Sequence, residues 1–161
     1  MWALGMTALP GAQAGERPGD ATHVHALRGL DTSAAALARD IVALTERVPD
    51  EVRFGVYLTF NRLSGARSQI ALTQALLAQS IEAGSPEEED ALRMTLRDQA
   101  RFALWDIENT RREIEQEAHG LVRVDHRDAA DAVRSLLSEV VAALRLLLVD
   151  QCARFDCVSE T

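Results

Sequence analysis

Leu27, Leu30, Ala34, Leu37, Ile41, Leu44 and Val48 recur at alternating steps of three and four residues and end against Pro49. A helix with this spacing carries one narrow apolar seam and must bury it against partner helices. Three further segments repeat the pattern. The first is Val52, Val56, Thr59, Leu63, Ala66, Ile70, Thr73, Leu77 and Ser80. The second is Leu92, Leu96, Ala100, Ala103, Ile107, Thr110, Ile114 and Ala118. The third is Val133, Leu137, Val140, Leu144, Leu148, Cys152 and Phe155. Four seams of this kind predict an all-α, antiparallel up-down-up-down four-helix bundle with long helices, spanning about residues 20–158.

The breaks between seams are few and have local causes. Asp20 reads as the N-cap of a first helix running to Val48, although Gly29 and Asp31 weaken its first third and leave the regular part to begin at Asp31 or Thr32. Pro49 stops that helix, and Asp50 reads as the cap of a second over 51–83. Gly84, Ser85, Pro86 and Glu88 form the clearest boundary: a helix end, an N-cap, a proline at N1 and a capping-box acid at N3. The third helix runs from Pro86 to about His119, with Gly120 at its C′ position. A fourth begins near Asp125. The acidic run Glu87 to Asp90 has a sufficient cause in the positive end of the third helix.

Composition agrees with this architecture and narrows the function. Apolar residues make up 47% of the 161-residue chain but aromatics only 4%, a helix-bundle balance rather than a sheet balance. The 25 acidic residues outnumber the 17 basic ones, for a net charge of -8. Such a surface repels phosphate backbones and anionic lipid, so neither nucleic acid nor a membrane surface is expected as a partner. Every basic side chain other than histidine is arginine, which reads as a coding bias. The apolar run Val140 to Val149 is interrupted by Arg145 and is far shorter than the roughly 20 residues of a membrane span.

Residues 1–19 carry two readings. Trp2 to Leu9 is apolar and Ala12, Gln13 and Ala14 have the small-x-small form of a signal-peptidase site, so the segment resembles a signal-peptide remnant with a mature chain starting near Gly15. The same Gly- and Pro-rich composition also describes a disordered tail. Export implies a bacterial periplasmic or secreted protein; the alternative is a cytoplasmic one.

Antiparallel order places His23 and His25 at the same end as Cys152 and Cys157, with His119 and His126 at the other. Two imidazoles and two thiolates form a zinc or copper set, and this supports an alternative reading as a metal-binding or redox bundle. The two cysteines can instead form a disulfide, or Cys152 can serve as core packing. Covalent haem attachment fails, because four residues separate the cysteines and Val158 follows the second. Glu108, Glu115 and His119 share a flank, but no second Glu/His set exists on another helix to complete a di-iron site.

Tyr57, Asn61, Arg67 and Trp105 flank the seams, and aromatic residues beside arginine are typical of binding hot spots. The serine and histidine residues show no arrangement that would mark a nucleophile with its base. The leading expectation is therefore a non-catalytic bundle of the ligand-sensing or protein–protein adaptor type. Its partner would be a protein or small molecule, with no cofactor and with a homodimer open to it through helix packing.

Overall fold

The four seams close on one another. In the computed structural model, which describes residues 16–118 and 124–155, they lie on α1 (Asp20–Thr45), α2 (Asp50–Ile81), α3 (Pro86–Ala118) and α4 (Val124–Cys152). Each helix packs against its chain neighbour, α1 also packs against α4, and no strand occurs among the described residues. The cross-section is not square. α2 and α4 approach one another across one diagonal, while across the other no described Cα of α1 lies within 8 Å of one of α3.

The core follows strict three–four alternation more closely than the apolar residues alone suggested. On α2 every expected position from Val56 to Ser80 is buried. On α4 the seam passes through Val133, Leu137, Val140, Leu144, Leu147 and Gln151, so Leu148 is only partly buried and Cys152 stands beside the seam. Ala38 takes the core position on α1 and leaves Leu37 half-buried. Arg93 takes it on α3 in place of Leu92. A polar side chain can hold a core position when its partners are also inside, and sequence hydropathy alone does not detect this.

Helix ends show the same interplay. α1 is continuous through Gly29 and Asp31, because Asp20, His23, Leu27 and Leu30 are all buried and hold its first turns by tertiary packing. Asp20 is not the cap but the first helical residue. The cap is Gly19, at φ 96°, where an added Cβ would lie 3.0 Å from a carboxylate oxygen of Asp150. α1 stops at Thr45 rather than Val48, since a residue preceding proline avoids the helical region. Val48 nevertheless stays buried, its N–H donating to the Leu44 carbonyl. The boundary at Ser85 forms a capping box shifted by one residue: the Glu88 N–H donates to Ser85 Oγ, and the Glu88 carboxylate accepts from Gly84 N–H. No described helix is long and apolar enough to cross a membrane.

Candidate functional site

At the end formed by the α1 start, the α2–α3 turn and the α4 end, the seam positions turn polar. Arg93 is 0% exposed and donates through Nη1 and Nη2 to the two carboxylate oxygens of Asp20 at 2.8 and 2.7 Å, and through Nε to Glu89 at 3.3 Å. Arg17 meets Glu89 at 2.5 Å, and its N–H donates to Asp20. Burial alone would push the Asp20 carboxyl up; the Arg93 hydrogen bond, the Arg17 N–H and the nearby guanidinium charges outweigh it and hold the group below the usual carboxylate range. Burial likewise opposes the charge on Arg93, and Asp20 and Glu89 overcome it. Arg93, Asp20 and Glu89, paired in this way, have the character of a structural clamp, beside which the buried Nη1 of Arg154 has no hydrogen-bond partner among the described residues. Gln151, fully buried nearby, has no hydrogen-bond partner for either amide atom among the described residues.

The histidines and cysteines expected at this end do not converge on a common point among the described residues. His23 is buried and donates from Nε2 to Asp150 at 2.6 Å. His25 is exposed, because two residues on a helix are rotated by roughly 200° from each other. Cys152 is disulfide-bonded, and Cys157 lies outside the described residues. No group of three or more His, Cys, Asp or Glu side chains suited to a metal ion occurs among the described residues.

Nor do the four flanking residues share a groove. Tyr57 and Asn61 are exposed on α2, while Arg67 is engaged with Asp31 of α1 at 3.1 Å. Trp105 is 62% exposed on the outer face of α3 beside Phe102, with ring centroids 6.1 Å apart. The shallow depression around Trp105 is lined by α3 alone and includes none of the other three.

The opposite end holds a pocket of about 330 Å³ where the α2 start, the α3 end and the α4 start meet. Its walls are mostly apolar: Phe54 and Leu58 from α2, Ile114 and Ala118 from α3, and Ala130 from α4. The polar exceptions are Thr59, Glu117 and His126, with the Gly55 backbone between them. His126 is 3% exposed and occupies a seam position one turn before Ala130. Burial pushes its imidazole below the ordinary histidine value, against the hydrogen bond to the Gly55 carbonyl and the Glu117 charge, so the ring is neutral near pH 7.

Gly55 is required by that ring. A Cβ at this position would stand 2.2 Å from His126 Cε1. The freed volume lets the imidazole lie against the α2 backbone and form one wall of the pocket. Glu117 is held at the rim by Arg62, whose Nη1 and Nη2 reach its two oxygens at 2.5 and 2.7 Å. Arg62 also faces Glu113 at 3.4 Å.

A volume of this size stands at the small end of the range for ligand pockets, about 300–1,000 Å³, and mostly apolar walls with a few placed polar groups are the usual composition. Among the described residues around it no hydroxyl or thiol is paired with His126: the Thr59 hydroxyl is engaged with the Gly55 carbonyl at 3.0 Å. The arrangement can bind and orient a molecule. Sequence reasoning placed His126 at this end but missed its role, and it missed Gly55 altogether. The available signal was a glycine in mid-helix one turn before a seam threonine, which marks a close approach by another element. No protein-family model, curated protein or solved structure matches this chain.

Proposed function

We propose that the protein is a non-catalytic binding module whose ligand is a small, largely apolar molecule held in the pocket between α2, α3 and α4. The observation that carries this reading is the His126–Gly55 contact. A bulky, neutral, buried imidazole is accommodated by deleting a side chain from the facing helix, and the space beside it stays open instead of being filled by a larger residue. Interiors otherwise pack closely, and an unfilled apolar volume loses dispersion contacts.

The test is an amide-resonance titration of the full chain with benzyl alcohol, a neutral aromatic probe. Saturable shifts clustered on Leu58, Ile114 and Ala130, and abolished by Leu58→Trp, are expected. Absence of saturable shifts, or shifts centred elsewhere, overturns the reading.

Use as a protein adaptor is favoured by one observation, the exposure of Phe102 and Trp105 side by side on the outer face of α3. Aromatic pairs of this kind act as hot spots. In this reading the partner is a second copy of the chain, so sedimentation should give a dimer that Trp105→Ser converts to monomer.

An oxidising location, periplasmic or secreted, is part of the proposal, and the disulfide at Cys152 supports it, since such bonds persist outside the reducing cytoplasm. Thiol counting on denatured protein taken from its native compartment tests this. Free thiols there would exclude it.

A further inference from the structure

We propose that the ligand of this pocket carries a protonated amine, its apolar body lying between Phe54, Leu58, Ile114 and Ala130 and its ammonium group at the rim beside Glu117. The inference rests on the pocket being the binding site and adds the chemical class of the occupant.

The polar lining sorts into donors and acceptors. The Thr59 hydroxyl already donates to the Gly55 carbonyl. A neutral imidazole has one N–H and one acceptor nitrogen, and the His126 N–H is directed to that same carbonyl. The Glu117 carboxylate has oxygen lone pairs to spare after accepting one hydrogen bond on each oxygen from Arg62. What these groups leave to an incoming molecule is a set of acceptors, and it calls for a donor.

Charge points the same way. Among the described residues that line the pocket Glu117 is the one carboxylate, it shares the Arg62 guanidinium with Glu113, and the neutral His126 ring sets no positive charge against it. Among the described residues, the last turn of α3 beside this pocket holds no basic side chain, and the carbonyl end of a helix favours a cation. The α2 and α4 starts present the opposite polarity, but their first turns contain Asp50, Glu51 and Asp125. The guanidinium of Arg134, on the other side of Ala118, lines a separate depression and is paired with Asp131 and Glu115. Among the described residues that line the pocket, a carboxylate-bearing ligand would meet Glu117 and no cationic side chain. An amine gains a partner that is 45% exposed at its side chain, so the ammonium keeps part of its hydration.

Three probes of similar shape separate the possibilities: benzylamine, benzyl alcohol and benzoate, titrated into the full chain at pH 7 in low and high salt. The expected result is an affinity order of amine, alcohol, benzoate. The amine should be favoured over the alcohol by about three- to fivefold, the range of a partly exposed ion pair. That preference should vanish in Glu117→Gln and shrink in high salt. Equal binding of amine and alcohol, or tightest binding of benzoate, overturns the amine assignment and leaves the pocket reading intact. Failure of all three to bind saturably overturns both.

Discussion

Arg93 and Asp20 join α3 to α1 across the diagonal along which the two backbones do not approach, through a two-pronged hydrogen bond of 2.8 and 2.7 Å. An aliphatic side chain is too short for that span, whereas a guanidinium on three methylenes reaches it. Removing one member of such a pair strands the other in the core, and breaking a buried pair costs about 3–5 kcal/mol. Asp20→Asn should therefore destabilise the protein by about that amount at pH 7, measured by urea unfolding. The cost should be pH-dependent with a definite sign. The folded-state pKa of Asp20 lies below its unfolded value, so the stabilisation is present above the unfolded value of about 3.9 and is lost as pH falls through the folded one. The gap between wild type and Asp20→Asn should narrow in that window. A gap unchanged down to pH 2 would contradict the clamp.

Gln151 has the opposite character. It stands at an α4 seam position, fully buried, with neither amide atom paired among the described residues. An unsatisfied buried polar group costs about 1–3 kcal/mol. Gln151→Leu should raise the unfolding free energy by an amount in that range. A loss of stability would indicate that internal water satisfies the amide in solution.

Gly55 and His126 should be energetically coupled. In an open helix Gly→Ala stabilises by about 1 kcal/mol, but here the new Cβ would fall on the imidazole, and overpacking of this kind costs about 1–3 kcal/mol. Gly55→Ala should be destabilising in the wild-type background and stabilising in a His126→Ala background. A double-mutant cycle measures the difference, and a coupling energy near zero would show that the ring moves aside freely.

Ile107 and Leu37 were both expected in the core. Ile107 is fully buried, whereas Leu37 lies at the core margin beside Ala38. Ile107→Ala should cost about 2–5 kcal/mol. Leu37→Ala should cost clearly less, because a half-exposed side chain forfeits less buried area and leaves no closed cavity. Thermal and urea unfolding of the two variants provide the comparison.

The contrast between these two residues shows what was legible in the chain. Three–four periodicity is a property of one helix, so the α2 seam could be followed residue by residue from Val56 to Ser80. On α1, Leu37 and Ala38 compete for one core position, and the choice depends on where α2 and α4 stand. On α4 residues 146 to 148 are all leucine, so hydropathy could not choose among them, and the reading through Leu148 suggested a drift that the helix does not make. Its regular period continues through Leu147 to Gln151, a position passed over because glutamine is polar. Asp20 and Glu89, read as helix-end acids, and Arg93 were not taken as core positions for the same reason, although their spacing fits the seams. The pocket was harder still. Its defining contact joins a glycine on α2 to a histidine on α4, residues 71 positions apart by their numbering; the glycine one turn before Thr59 signals a close approach but does not say by which residue.

The polar end also changes how the chain's two extremities can open. Helix termini ordinarily fray one by one, each at little cost. Here the first turn of α1 is bound to α3 through Asp20 and to α4 through His23 and Asp150, while Gly19 lies against that same Asp150 side chain. Unwinding α1 by a single turn would release the partner of Arg93 and the partner of Asp150 together. Amide hydrogens at the start of α1 and at the end of α4 should therefore exchange with solvent as one cooperative unit, at a rate set by a shared opening event rather than by two independent ends.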